Sequence, residues 1–202
     1  FVVIAACVPF AWMWMLPEGF ESFGQSVVAT VLFSNNVLLW LTSGYFAQAA
    51  ETKPLLHTWS LGVEEQFYIL FPLLLAVLVR PGRIALAVSV LGVASAALML
   101  WSVRTGLPGA EARFYLLPMR AWELLAGSAA ALWLREDRPA PARAWRAILA
   151  MAGIAMVAVA MLSFDRGTDF PSLWTLLPVG GTVLLILFAG PDEPLGRLMG
   201  HR

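Results

Sequence analysis

Charge and reactive side chains are what this sequence has least of. Only 13% of its 202 residues are Asp, Glu, Lys or Arg, about half the share of an average soluble domain. The lone Cys7 excludes an internal disulfide and any cysteine-based metal cluster, and its apolar neighbours read as packing around an inert thiol. The thirteen basic and thirteen acidic residues cancel. That balance gives no argument for nucleic acid or for a basic anchor on a membrane surface. No glycine loop that would cradle phosphate, no metal-ligand cluster and no G-x-S-x-G nucleophile elbow occurs. No internal repeat stands out.

What remains is apolar. Hydrophobic residues make up 60% of the chain and the mean hydropathy is +0.77, which points to a membrane protein. Nine Trp fit membrane–water boundaries, where one end of the ring system is dry and the other wet. A spanning helix needs about 20 mostly apolar residues. Six stretches approach this: Phe1–Leu16, Val63–Val79, Ile84–Val103, Phe114–Leu134, Ala147–Phe164 and Leu173–Ala189. A seventh, Ser26–Leu41, is short and broken by Ser34-Asn35-Asn36, and reads as a re-entrant or interfacial helix. The expected fold is all-α: a polytopic transmembrane bundle of about six spans plus that short helix, one domain over residues 1–202. The chain starts on Phe1 without a basic leader or a small-residue cleavage site, so the apolar start is not a signal peptide. The expectation is an internal piece of a longer protein.

Loop charge gives an orientation. Arg80, Arg83, Arg135, Arg138, Arg143, Arg146, Arg197 and Arg202 lie in one set of loops; Lys53, Arg104, Arg113 and Arg166 lie in the other. Basic short loops stay in the cytoplasm. The richer set is therefore expected inside, and the segment leading into residues 57–65 outside. Gly106, Pro108, Gly109, Pro139, Pro141, Pro191 and Pro194 punctuate the helices. Gly127 and Ala131 suit a close helix–helix contact.

Two constellations carry chemistry. In HTWSLGVEEQFYILFPLLL, Glu64 and Glu65 stand side by side at the head of an apolar run. Thr58 or Ser60 would cap the helix. Carboxylates near a helix start gain from the dipole, so two acids at a membrane edge have a plain structural role. That role does not account for His57, Trp59, Ser60, Gln66 and Tyr68 crowding the same dozen residues. Neighbours on a helix differ by about 100°, so one of the two acids should face the bundle or another polar group. His57 suits a general base or a hydrogen-bonding residue at a helix entrance. Asn35 and Asn36 either line a pocket or cap a broken helix. In FYLLPMRAWELLAG, Arg120 and Glu123 are spaced to pair on one helix face. A charge at mid-bilayer costs about 2.5–3.5 kcal/mol, so such residues normally face the interior. They are either functional or a self-compensating lock on the bundle. Pro118 and Pro72 would bend their helices, as is common beside a cavity.

HTWSLGVEEQFYILFPLLL resembles the hallmark segment of the acyltransferase-3 family of bacterial membrane O-acyltransferases. LFSNNVLLWLTSGYF before it, and ARFYLLPMRAWELLAGSAAAL and LLPVGGTVLLILFAG after it, resemble that family in the same order, from roughly Leu32 to Ala189. The resemblance implies transfer of an acyl group, usually acetyl, from acyl-CoA to a sugar hydroxyl of an envelope polysaccharide such as O-antigen lipopolysaccharide or peptidoglycan. It implies a multi-pass protein of the bacterial cytoplasmic membrane, with acyl-CoA as donor substrate and no bound cofactor or metal. It maps His57, Trp59, Ser60, Glu64, Glu65, Gln66 and Tyr68 onto the signature, and Arg120, Trp122 and Glu123 onto a second motif. Glu64, Glu65, His57, Arg120 and Glu123 are the catalytic candidates; Trp59, Ser60, Gln66, Tyr68, Trp122, Asn35 and Asn36 are the substrate-binding ones. Trp59, Tyr68 or Trp122 would stack on a sugar. The resemblance also implies a catalytic histidine on the family's first span and an arginine-rich motif just before the segment equivalent to Phe1. Neither lies in these residues, so the piece is expected to be inactive alone. With Phe1–Leu16 crossing outward from such a cytoplasmic loop, the later loop charges fit only if Ser26–Leu41 does not cross. A transporter or flippase of glycan or acyl precursors, or a non-catalytic scaffold of the same ancestry, are the other readings of intramembrane charge.

Overall fold

A computed structural model describes residues 1–42, 53, 55–78, 81–136, 141–165, 167–168 and 170–190. Arg80, Arg138, Arg166, Arg197, Arg202, Pro139, Pro191, Pro194 and His201 lie outside the described residues. Among those described, the regular structure is helical throughout, with no strand. The helices are α1 (Val2–Trp14), α2 (Pro17–Val31), α3 (Asn35–Leu41), α4 (Thr58–Val77), α5 (Pro81–Thr105), α6 (Ala110–Tyr115), α7 (Leu117–Leu134), α8 (Arg143–Ser163) and α9 (Leu176–Phe188). A 3₁₀ turn, Leu173–Thr175, leads into α9. The chain forms two compact units: Phe1–Val77 with Leu107–Met119, and Leu78–Gly106 with Arg120–Arg202.

Among the described residues, three helices are long and apolar enough to cross a membrane: α4, α5 from Gly82, and α8. At 1.5 Å per residue, the 20 residues of α4 span about 30 Å. The helix Val2–Trp14 and the stretch Leu173–Phe188 are apolar but shorter. The stretch Phe114–Leu134 is not one helix. It divides at Leu116, whose backbone is extended, into α6 and α7. Pro118 then sits in the first turn of α7, where its missing N–H removes no helical bond. The sequence places a bend here; the structure makes a full break.

In the first unit, α2 opens on Pro17 after an extended Leu16, with Glu18 in its first turn. Ala11, Phe23 and Leu55 form a buried cluster against which Ile4, Cys7, Met15, Phe20 and Val27 pack. Cys7 is thus a packing residue. The break expected at Ser34–Asn36 is present and has a definite geometry. Phe33 adopts a left-handed conformation (φ 54°), which is uncommon for a bulky residue and costs free energy. The Ser34 N–H donates to Ala29 O at 2.8 Å, closing the turn from α2 into α3. Arg113, read from the sequence as a loop charge, is buried in α6 (8% exposed).

In the second unit, α8 and α9 meet through Gly153 and Gly181. A Cβ on Gly153 would lie 2.7 Å from Gly181 O, and one on Gly181 would lie 2.7 Å from Gly153 O. Among the described residues the expected Gly127/Ala131 contact is not made: a Cβ on Gly127 meets nothing within 4 Å, and Ala131 is exposed. Ser172 and Thr175 start the 3₁₀ turn with a capping box. The Ser172 N–H donates to Thr175 Oγ1 at 3.1 Å, and the Trp174 N–H donates to Ser172 Oγ at 3.3 Å.

Candidate functional site

The head of α4 is held by a polar node that ties it to α2, α3 and α6. Asn35 and Asn36, fully buried (0% exposed) in the first turn of α3, supply it. Asn35 Nδ2 donates to Thr58 Oγ1 at 2.7 Å and to Leu55 O at 3.2 Å. Asn36 Nδ2 donates to Tyr115 O at 3.0 Å, reaching into α6. Gln66 Nε2 donates to Asn36 Oδ1 and to Phe33 O, both at 2.9 Å. The left-handed Phe33 therefore turns its carbonyl to Gln66, which accounts for the strained conformation. Thr30 joins through Thr58, their hydroxyls 3.0 Å apart. Thr30 Oγ1 also lies 2.7 Å from Ser26 O, and Thr58 Oγ1 lies 2.8 Å from Leu55 O. Two hydroxyl protons serve these three contacts, so only two are made at any moment.

This node fixes what the sequence left open for the amides. Asn36 and Gln66 hydrogen-bond each other, and all three amides also reach backbone carbonyls, so they orient α4. Thr58 ties α4 to α2 and α3, while Ser60 Oγ donates to His57 O at 3.3 Å. Lys53 Nζ donates to Thr42 Oγ1 at 2.9 Å, and burial lowers its pKa. Trp59 packs on Phe114 (centroids 4.5 Å) and edge-on to Tyr115 (5.9 Å).

α4 starts five residues before the anticipated Val63, and this changes the reading of the two acids. Glu64 and Glu65 lie beyond the first turn, where the helix dipole has little hold. Thr58, Gly62, Val63 and Phe67 form the buried face. At about 100° per residue both acids fall to either side of it. Each is half-buried. Within the first unit both acids flank the buried face of α4, with no hydrogen bond or ion pair among the described residues. His57 is exposed in the turn before α4, and Tyr68 is open (57% exposed).

Gly62, absent from the sequence-based candidates, allows the node to form. A Cβ there would lie 2.8 Å from Asn36 Oδ1 and 3.3 Å from Phe33 O. Gly62→Ala is expected to displace the Asn36 amide and lower stability by about 1–3 kcal/mol. Gly24→Ala, in α2 with nothing within 4 Å of the new methyl, should be neutral or slightly stabilising. Thermal melting of both variants in detergent checks this. Equal melting temperatures would deny Gly62 its role.

The second constellation lies in the other unit. Arg120 Nε and Nη2 donate to Glu123 Oε1 and Oε2 at 3.1 and 2.7 Å, a two-pronged pair on one face of α7. The side chains are 12% and 18% exposed. The guanidinium also sits 5.6 Å from the centre of the Phe170 ring. From α5, Ser95 Oγ accepts the Trp122 N–H at 3.0 Å. Trp122 is buried (7% exposed), so its ring is packed rather than an open stacking platform. Glu123 borders a cleft between α7 and α9. Phe170 and Ser95, neither of them flagged by the sequence, complete this arrangement.

A mostly buried Arg–Glu pair, and adjacent uncommitted acids held on a rigid polar node, both sit within one matched sequence domain. The profile of the family described as Acyltransferase domain matches residues 2–194. The chain belongs to the acyltransferase-3 family. Its motif residues in α4 and α7 are thus set in a family framework that spans both units. Among curated relatives, a candidate membrane-bound transacylase of Komagataeibacter xylinus, BcsY, is 29% identical over 91% of this chain and 46% of its own length. An uncharacterised protein of Haemophilus influenzae is 28% identical over 92% of this chain and 80% of its own length. The peptidoglycan O-acetyltransferase OatA of Listeria monocytogenes is 29% identical over 83% of this chain and 27% of its own length. The chain thus spans about half of BcsY and about a quarter of OatA. No solved structure matches it.

Proposed function

We propose that this chain is the membrane part of an O-acyltransferase with about six spans in the bacterial cytoplasmic membrane. The acyl group, acetyl in the simplest case, passes from acyl-CoA to a sugar hydroxyl of an envelope polysaccharide. The new C–O ester bond forms as the thioester C–S bond breaks, and the hydroxyl proton ends on the CoA thiol. The observation that carries this reading is the pair Glu64 and Glu65. Their helix is fixed by Asn35, Asn36, Thr58 and Gln66, yet their own carboxylates are uncommitted. A rigid support around free functional groups is how preorganised sites are built.

One of the two acids orients the base or holds the acceptor sugar, with His57 and Ser60 one to two turns away along the chain. A carboxylate behind a base fixes its tautomer and stabilises its charged form. Trp59 and Tyr68 offer aromatic surface to the sugar. In α7, Arg120 offsets negative charge on the donor or on the developing oxyanion, with Glu123 as its counter-ion. Being named a peptidoglycan O-acetyltransferase, OatA supports peptidoglycan as the acceptor class. Replacing Glu64 and Glu65 singly by Gln in the complete gene product tests the assignment. At least one variant should lose about 100-fold or more of envelope-glycan O-acylation, the scale of a general acid–base contribution. Wild-type rates in both would remove the acids from the mechanism.

A further inference from the structure

The cleft beside the Arg120–Glu123 pair has a volume of about 310 Å³, at the lower end for small-molecule pockets and far more than an acetyl group occupies. Its walls are apolar: Gly127 on α7, Phe170 before the 3₁₀ turn, and Val179, Val183 and Ile186 on α9. Two hydroxyls also border it, and both already have internal contacts. Thr182 Oγ1 donates to Pro178 O at 2.8 Å, and Thr175 Oγ1 accepts the Ser172 N–H at 3.1 Å. Among the described residues, Glu123 is the one charged residue in the lining. Its carboxylate is held by Arg120 through two hydrogen bonds, so the polar end is close to neutral. A glycan would bury several hydroxyls here with few partners. A hydrocarbon chain with a single polar head matches both the walls and the neutral end.

We propose that this cleft receives the hydrocarbon part of the donor's acyl group, so that the enzyme transfers chains longer than acetyl. Gly127 sets the length that fits. This rests on the acyl-transfer reading above; bonds made and broken are those of that reaction, with a longer R group on the thioester carbonyl. Gly127 is decisive because it lines the cleft and a Cβ there meets nothing within 4 Å. A larger side chain at this position enters the cleft without striking a neighbouring helix at its base.

The test compares acetyl-CoA with octanoyl-CoA as donors to envelope glycan, using the complete gene product in nanodiscs. The wild type should use both. Gly127→Leu should lower the octanoyl-to-acetyl rate ratio at least tenfold, with Gly127→Ala in between and both variants melting near the wild type. An unchanged ratio in Gly127→Leu, or a wild type that transfers acetyl alone, overturns the proposal. Photolabelling with a diazirine-bearing octanoyl-CoA reads the cleft even where neither donor is transferred. Label on residues 170–186 of the wild type, lost in Gly127→Leu, supports the cleft while the transfer reading falls. Label elsewhere, or equal label in the variant, overturns it. A photoactivatable phosphatidylethanolamine that labels the same residues and is not displaced by octanoyl-CoA would make the cleft a lipid groove and also overturn it.

Discussion

Glu123→Gln is expected to produce a poorly folding, inactive protein, and Arg120→Gln the same. Each change breaks the mostly buried Arg120–Glu123 pair, and breaking such a pair costs about 3–5 kcal/mol. Against a typical stability of about 5–15 kcal/mol, that is severe. The informative variant is the double replacement, Arg120→Gln with Glu123→Gln. It removes both charges together, and neutral replacements of whole buried pairs are often tolerated. Most of the stability should therefore return. O-acylation should stay at least about 100-fold below wild type, the usual effect of losing one group that stabilises developing charge. Melting and transfer measured on the same preparations separate the two roles. Activity returning along with stability would make the pair a lock on its helix.

Gly153→Ala should drive α8 and α9 apart. The added methyl would lie 2.7 Å from Gly181 O and 3.1 Å from Leu184 Cβ and Leu185 Cγ. A carbonyl oxygen in a helix cannot rotate aside, so the helix axes must separate. Gly181→Ala meets the mirror problem: 2.7 Å to Gly153 O and 2.9 Å to Val157 Cγ2. Between helices in lipid, close packing of small residues is a main source of association, so the loss is felt along the whole interface. Overpacking of this kind costs about 1–3 kcal/mol or more. At about 2–4 °C per kcal/mol for a chain of this size, the melting temperature should fall by roughly 2–12 °C. Gly127→Ala, in the same unit but facing open space, should not lower it. Equal melting of Gly153→Ala and wild type would mean that the two helices do not approach as closely as described.

The all-helical class is legible in the sequence because apolar length is a property of single segments, although among the described residues only three helices are long and apolar enough to cross a membrane. So is the interruption at Ser34-Asn35-Asn36, since three consecutive polar residues inside an apolar run are costly in lipid and mark a break. The Arg120–Glu123 pair follows from its i, i+3 spacing alone. The partners of Asn35 and Asn36 are not legible. Asn36 reaches Tyr115 O, 79 positions away, and no local pattern encodes that distance. Gly62, Gly153 and Gly181 carry no local mark of their close approaches, and Gly127 looks like a contact residue without being one, for the same reason. A helical period tells which residues share a face, but not which face of another helix meets it. The division at Leu116 reads as a bend because Pro118 is compatible with both. The two acids read as first-turn residues because the apolar run becomes dense only at Val63, whereas α4 begins at Thr58.

The central claim is that this chain serves a reaction in which a thioester acyl group becomes a sugar ester. The most direct measurement reconstitutes the complete gene product in proteoliposomes with [1-¹⁴C]acetyl-CoA on the donor side and glycan acceptor on the other. The account predicts label in alkali-labile ester linkage on the glycan, strictly dependent on acetyl-CoA and lost in the Arg120→Gln, Glu123→Gln double variant. Counterflow of labelled glycan without any acyl-CoA, with no ester formed, would contradict it and leave a transporter in its place.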